Sequence, residues 1–377
     1  MKILIVSIFL FIFKSTFAQP SLSAIKTDSI ITAIAELQTK RTVFYKAGQF
    51  PSQRGRYRRV EDNGIFFNSL IAFTLQERKE QLSSHYRQMV DSIVELTTSN
   101  YPLYKNKSGI QTYNFWKTNP PHFFPNSLLS RFSSFQIPDD ADCTVLIYLT
   151  DTSLATHTLW LQDKLTQHAN KSKLKIKNTF RPYREFKAYS TWFGKKMPVE
   201  FDLCVQTNIL YFIYKNQLPL TIQAQESLLL LRKQIQSGDY LKYAYYLSPS
   251  YKKRSIVLYH LARLLEYNNI KELEDCRETV KNDIEAELKK EKTFMDKVIL
   301  STALIRMKGQ PQPIRYPADL NKSLINYVFF RANLFSSYAR PSLRFITKNH
   351  FFDVPFYCKA YSLALLAEYE ILTSSKR

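Results

Sequence analysis

The stretch Pro138-Asp-Asp-Ala-Asp142-Cys143-Thr-Val-Leu-Ile-Tyr-Leu149 decides the fold, because it begins a helix and recurs in altered form further along the chain. The second copy, Pro198-Val-Glu-Phe-Asp202-Leu-Cys204, precedes the apolar residues 209–213. In both copies an aspartate follows the proline by four residues, and a cysteine lies just beyond it. Proline is tolerated in the first turn of a helix and preorganises it. Each copy therefore predicts the N-terminus of an apolar helix.

Two further prolines precede helical patterns: Pro249 before residues 255–260, and Pro355 before residues 358–366. The four prolines are 60, 51 and 106 residues apart, and the last interval is about twice the others. A unit of roughly 50 to 60 residues gives about six helical hairpins, which bury one face by stacking on their neighbours. Helical periodicity dominates after Gln19, and convincing alternating strands are missing.

These patterns predict an all-α chain in which residues 19–377 form a single domain. Six hairpins can close into an (α/α) toroid. The helices that begin near the prolines would form its inner layer, because they are the more uniformly apolar ones. Their N-termini, with the aspartates, would then surround one mouth of a central cavity.

The composition excludes several large enzyme classes. The chain has 377 residues, of which 45% are hydrophobic and 23% charged, so it is expected to fold. It has only 7 glycines, and it contains no GxxxxGK[ST], GxGxxG, GxSxG or HExxH motif. P-loop NTPases, Rossmann enzymes and ordinary α/β-hydrolases are therefore excluded.

The first 18 residues are typical of a secretory signal peptide. A lysine at position 2 precedes an apolar run at residues 3–13, and Thr16-Phe-Ala18 offers small residues at the cleavage positions. The run is too short to span a bilayer, and no later stretch reaches 18 apolar residues. We therefore expect a periplasmic or secreted protein. An uncleaved anchor or a buried helix is the alternative.

The net charge of +21 favours anionic partners. The positive charge concentrates in two basic runs. The first holds Arg54, Arg56, Arg58 and Arg59, and the second holds Lys171, Lys173, Lys175, Lys177, Arg181, Arg184 and Lys187. Either run is a solvated loop, or it contacts phosphate or an anionic membrane surface. Nucleic acid is not expected as a partner of an exported chain.

Residues 140–145, Asp-Ala-Asp-Cys-Thr-Val, resemble the DxDDTA motif of squalene-hopene cyclases and other class II terpene cyclases. The third aspartate of that motif is Cys143 here. The same residues also resemble the Asp-Cys-Thr-Ala motif of oxidosqualene cyclases. Either resemblance puts the catalytic acid on Asp142, with Asp140 as a neighbouring carboxylate. It implies protonation of an isoprenoid double bond or epoxide by a carboxylic acid that burial keeps neutral.

A second resemblance lies in the next repeat. Asp202-Leu-Cys204 resembles the Asp-x-Cys pair that binds zinc, together with a later histidine, in protein prenyltransferase β subunits. The corresponding histidine would be His260, which lies 56 residues after Cys204. Carboxylate, thiolate and imidazole are suitable zinc ligands, and three of them leave one position open. The leading expectation is that the chain uses no cofactor, and zinc is the alternative.

Each of these residues has a structural alternative. Asp139, Asp140, Asp142 and Asp202 all stand at helix starts, where a carboxylate caps free N–H groups. The cysteines, at positions 143, 204, 276 and 358, are compatible with buried thiols, and four scattered cysteines fix no disulfide pairing. His260 could be an ordinary core histidine.

The leading expectation is acid-initiated chemistry on an isoprenoid, with aromatic residues, 14% of the chain, stabilising a cation. The first alternative is a glycan-active toroid, in which a pair drawn from Asp140, Asp142, Glu200 and Asp202 acts on a glycosidic bond. The second is a non-catalytic binding protein. A deep aromatic chamber would favour isoprenoids, an open polar groove would favour sugars, and a filled centre would exclude catalysis.

Overall fold

The computed structural model describes residues 27–118, 136–194, 196–267, 270–310, 313–333 and 335–374. The predicted signal peptide, residues 1–18, lies outside them. Within the described ranges the chain is mainly helical, as the periodicity predicts. No helix of these ranges is both long and apolar enough to cross a membrane.

Fifteen α-helices lie in the described part of the chain. In chain order they are α1 (Thr27–Leu37), α2 (Phe66–Arg78), α3 (Ser84–Thr98), α4 (Ala141–Thr150), α5 (Thr158–His168), α6 (Leu203–Lys215), α7 (Ile222–Gln236), α8 (Asp239–Lys242), α9 (Ala244–Leu247), α10 (Arg254–Leu265), α11 (Arg277–Lys290), α12 (Phe294–Arg306), α13 (Leu320–Ile325), α14 (Arg344–Lys348) and α15 (Lys359–Ser374).

Six of these helices contact one another in a cyclic order. The order is α2, α4, α6, α10, α12 and α15, and α15 packs on α2 again. The helices predicted to begin near Pro138, Pro198, Pro249 and Pro355 are α4, α6, α10 and α15, so all four belong to this set. α6, α10 and α12 are buried on nearly all sides, whereas α3, α7 and α11 bury only some of their positions. This difference follows from their sequences, because a helix that is apolar all round must be covered all round.

A small antiparallel sheet corrects the prediction of an all-α chain. Its strands are β1 (Ser52–Arg54), β2 (Val60–Asp62), β3 (Phe330–Asn333) and β4 (Asp353–Tyr357), in the order β2-β1-β4-β3. Each strand has only three to five residues, too few for an alternating pattern to be recognised. The sheet joins an early hairpin to segments near the C-terminus, and it puts Phe330 directly opposite Phe356.

The turn between β1 and β2 depends on glycine. Gly55 has φ +114°, a conformation that L side chains rarely adopt. A Cβ at this position would lie 2.3 Å from the carbonyl oxygen of Arg58, so the hairpin could not keep this shape with another residue. The turn presents residues 56–58 at the surface.

A buried ion-pair network lies where α2, α10 and α12 end. Arg306, the last residue of α12, bonds to Glu77, Glu266 and Glu368, and its side chain has no exposed area. Although burial raises the pKa of Glu77, the charge and hydrogen bonds of Arg306 lower it to about 2. Removing one partner would leave uncompensated buried charge, so the network fixes how these helix ends meet.

Candidate functional site

A cavity of about 440 Å³, which we call the chamber, lies at the end where α2, α4 and α6 begin. Most of its lining is aromatic or aliphatic. The aromatic residues are Phe66, Phe115, Trp116, Trp192, Phe330, Tyr338 and Phe356, and the aliphatic ones are Ile137, Val205, Ala332 and Val354. The volume falls within the range of about 300–1,000 Å³ that is typical of small-molecule sites.

The sheet and helix α2 build the aromatic wall of the chamber. Phe330 of β3 lies 4.5 Å from Phe66, the first residue of α2, and 5.4 Å from Phe356 of β4, measured between ring centroids. Phe115 stacks on Phe330 at 5.6 Å and meets Trp116 edge-on at 4.9 Å. These mutual contacts fix the rings, so the wall is preformed.

Asp142 lies in the first turn of α4, is 5% exposed and lines the chamber. Its Oδ1 accepts a 2.6 Å hydrogen bond from Nδ2 of Asn208, and its Oδ2 accepts one from the hydroxyl of Tyr251. Asn208 in turn accepts a hydrogen bond from the buried Arg263. Burial raises the pKa of Asp142, while the two donors and the Arg263 charge oppose that rise. Burial thus favours the neutral acid form of Asp142, while Asn208 and Tyr251 are in position to donate hydrogen bonds to the carboxylate form.

Asp140 caps α4 and also lines the chamber. Its Oδ1 accepts a 2.7 Å hydrogen bond from the backbone N–H of Cys143, so the capping alternative holds for this residue. Burial raises the pKa of Asp140 to about 8, and the charge of Asp142 adds to the rise. Asp140 is therefore largely protonated at neutral pH.

Asp139 points elsewhere. It accepts hydrogen bonds of 2.5 Å from both Asn106 and Thr112, and it lines a different, more polar cavity. Its bonds tie the start of α4 to the loop at residues 106–114, which is a structural role.

Glu200 is the third carboxyl group of the chamber. It is 4% exposed, and its Oε2 accepts hydrogen bonds from Nε1 of Trp192 at 2.6 Å and from the hydroxyl of Ser337 at 2.8 Å. Its Oε1 is buried and has no hydrogen-bond partner among the described residues. Burial raises the pKa of Glu200. In the sequence analysis this residue belongs only to the glycan alternative.

Asp202 is explained by capping. Its Oδ1 accepts hydrogen bonds from the backbone N–H of Cys204 and Val205 at the start of α6, and from the hydroxyl of Ser248. Its Oδ2 accepts one from the backbone of Ser250, and burial raises the pKa of the group to about 7. The residue lies behind the chamber lining, and its oxygens are engaged in holding two chain segments together.

The predicted zinc ligands do not fit a metal site. Cys204 is fully buried, and burial raises the pKa of its thiol well above the usual value. His260 bonds through Nδ1 to the carbonyl of Ile256 and packs against Tyr251 at 4.8 Å. The described residues contain no group of three His, Cys, Asp or Glu side chains that could hold a metal ion. Asp202, Cys204 and His260 are therefore not brought together as ligands.

All four cysteines are buried with free thiols, including Cys276 and Cys358.

Of the first basic run, Arg54 is buried against Asp62, and Arg59 bonds to Asn326, whereas Arg58 is exposed. In the second run the four lysines are exposed, as a solvated loop would be, and Lys171 pairs with Glu185.

Several residues of the site have no local sequence signal. Trp192 and Ser337 hold Glu200 but stand 145 residues apart, and Asn208 and Tyr251 reach Asp142 from two other parts of the chain. Tyr251 lies between Pro249 and the start of α10, and no motif in the sequence links its hydroxyl to Asp142.

No family model matches the chain, and a search of curated proteins gives no match either.

Proposed function

We propose that this chain is an (α/α) toroid that carries out acid-initiated chemistry on an isoprenoid, as the resemblance to class II terpene cyclases implies. Two observations support the architecture: six helices contact in cyclic order, and residues at or just before the N-termini of five of them line or adjoin one chamber. The observation that carries the chemistry is a mainly apolar chamber with an aromatic wall, into which the start of α4 brings two buried carboxyl groups of raised pKa.

Asp142 is the proposed acid. In the neutral form it gives its proton to one carbon of a double bond. The π electrons form the new C–H bond, and the positive charge remains on the other carbon. The carboxylate left behind keeps the hydrogen bonds from Tyr251 and Asn208, so the two donors stabilise charge where it develops. Asp140, whose pKa burial raises to about 8, adds a second and largely neutral carboxyl group to the same chamber lining.

The aromatic wall would stabilise the carbocation that forms when the double bond is protonated. The faces of Phe66, Phe115 and Phe330 carry the negative side of the ring quadrupole, and in a water-poor site cation–π attraction is worth about 2 kcal/mol. The same apolar surface would bind the hydrocarbon substrate and keep out water, which would otherwise quench the cation.

The glycan alternative rests on Glu200. Its unpartnered Oε1 and the Asp142 carboxyl come from different chain segments and line the same chamber, as a pair of glycosidase carboxyls would. Trp116 and Trp192 could stack on sugar rings. The mainly apolar lining favours the isoprenoid.

The test is turnover by the purified chain. Linear isoprenoids of graded length, and their epoxides, are incubated with wild type and with Asp142→Asn, and products are identified by gas chromatography and mass spectrometry; a panel of polysaccharides is run in parallel. We expect cyclised products with wild type and none with Asp142→Asn. The control is Asp163→Asn, at an exposed position of α5, which should retain full activity. Sugar release would support the glycan alternative, and no product from any substrate would contradict catalysis.

A further inference from the structure

Exposed apolar side chains concentrate in residues 335–351, the segment between β3 and β4 that contains α14. Phe345 is 61% exposed and Phe351 is 72% exposed. Phe335, Tyr338 and Leu343 of the same segment are also exposed. Single exposed apolar residues are ordinary on a protein surface, but five within 17 positions indicate a surface that binds something.

Cations accompany these residues. Arg340 and Lys348 are exposed, Lys348 lies 5.8 Å from the ring centroid of Tyr245, and Arg344 lies 5.9 Å from that of Tyr243. The segment thus alternates aromatic and basic side chains, a combination that is enriched where proteins meet lipid headgroups.

The segment adjoins the chamber. Ser336, Ser337 and Tyr338 are part of the chamber lining, and the hydroxyl of Tyr338 lies 3.7 Å from Sδ of Met197, which also lines it. A partner that binds residues 335–351 would therefore lie next to the chamber.

The β1–β2 turn extends this surface. Tyr57 at its tip is 90% exposed, and Arg56 and Arg58 flank it. The turn belongs to the same sheet as β3, from which residues 335–351 continue. Arg58, the exposed arginine of the first basic run, therefore lies on a turn of the same sheet from which residues 335–351 continue.

We propose that residues 335–351 and the turn at residues 55–59, together called the contact face, bind the surface of an anionic lipid bilayer. The rings of Phe345 and Phe351 insert among the headgroups, while Arg58, Arg340 and Lys348 attract anionic lipids. A second copy of the chain is a poorer occupant, since a symmetric contact would set the same cations against each other. The net charge of +21 also attracts the chain to an anionic bilayer.

The experiment is co-sedimentation of the full chain with phosphatidylcholine vesicles and with vesicles that also contain phosphatidylglycerol. We expect binding that requires phosphatidylglycerol and weakens with added salt. The double variant Phe345→Ser/Phe351→Ser should bind at least about tenfold more weakly, because it has lost the two aromatic rings whose transfer from water into the bilayer favours binding. Arg56→Gln/Arg58→Gln should also bind about thirtyfold more weakly, since each of the two cations near an anionic surface contributes about 1 kcal/mol.

The matched control is Leu96→Ser/Ile222→Ser, which removes two exposed apolar side chains from α3 and α7. It should bind vesicles as wild type does, and unchanged circular dichroism should show that each variant is folded. The proposal is overturned if wild type ignores both kinds of vesicle or if the control loses binding equally. It is also overturned if light scattering shows a dimer that the Phe345→Ser/Phe351→Ser variant dissociates, because the face would then bind a second copy. None of these outcomes depends on catalysis in the chamber.

Discussion

Asn208 of α6 donates a 2.6 Å hydrogen bond to Asp142 of α4, so a single amide fixes the candidate acid and joins two neighbouring helices. The amide oxygen is occupied by Arg263 of α10. Three helices therefore determine the position of one carboxyl group. Such support from surrounding residues is what holds a reacting group in a productive geometry.

Tyr251→Phe should slow the proposed reaction with little change in the shape of the chamber. The variant removes one donor to the carboxylate that forms when Asp142 loses its proton, so we expect a rate about a hundredfold lower. Product formation under saturating substrate measures it. Tyr246→Phe is the control, because that buried hydroxyl bonds to the carbonyl of Ala339 outside the chamber. Equal rates for the two variants would show that the Tyr251 hydroxyl does not act on the acid.

Asp140 should contribute less to stability as the pH rises from about 4 to about 8. Its pKa is about 8 in the folded chain, against an ordinary value of 3.8, so between these values its carboxyl group binds more protons in the folded state than in the unfolded state. Its contribution to the free energy of unfolding then falls with pH, by up to about 1.4 kcal/mol per unit. Asp202 contributes in the same direction up to about pH 7. His168, whose pKa burial lowers to about 4 from an ordinary value of 6.5, acts in the opposite direction between these two values.

Urea unfolding across this pH range tests the assignment with Asp140→Asn. Asparagine also caps helices well, so the variant keeps the hydrogen bond to Cys143 but cannot ionise. Its unfolding free energy should depend less steeply on pH than that of wild type. Two identical pH profiles would mean that Asp140 does not carry the raised pKa.

Asp202→Ala should destabilise the chain by about 2 kcal/mol or more. The variant removes the cap of α6 and leaves the buried Ser248 hydroxyl and the Ser250 N–H without their acceptor. Asp202→Asn should recover part of the loss, since one oxygen still accepts. Chemical denaturation measures both variants. If alanine is tolerated without cost, the capping interpretation of Asp202 is wrong.

Arg306→Met should cost about 3–5 kcal/mol, because it strands the buried carboxylates of Glu77 and Glu368. Arg232→Met is the control, as Arg232 pairs with Asp275 at an exposed site where ion pairs contribute little to stability. Thermal unfolding compares the two. A similar small effect for both would show that the Arg306 network is not essential to stability.

The sequence predicted the helices of the chain better than it predicted the site. Pro138 and Pro198 mark the starts of α4 and α6 because capping and first-turn preferences are local, so they can be recognised from a few residues. The strands escaped prediction because three residues carry no periodicity of their own. Ser52–Arg54 pairs with the equally short β2 on one side and, on the other, with β4 near the far end of the sequence. The sequence likewise does not show which carboxyl groups line the chamber.

Asp142 and Asp202 look alike in sequence, since each follows a proline by four residues and precedes an apolar run. Only the fold separates them: Asp142 lines the chamber, whereas Asp202 bonds to Ser248 and Ser250. Glu200 faces the chamber because Ser337, from a distant segment, holds it there. These distinctions depend on contacts between remote parts of the chain.

The closure of α15 on α1 and α2 has a consequence for how the chain is made. The chain from α2 to α15 has to be synthesised before the apolar faces of α1 and α2 gain this partner. Contacts of such long sequence separation form slowly, and unfinished intermediates expose surface that aggregates. A chain interrupted before residue 359 would therefore leave these faces of α1 and α2 uncovered and could not complete its core.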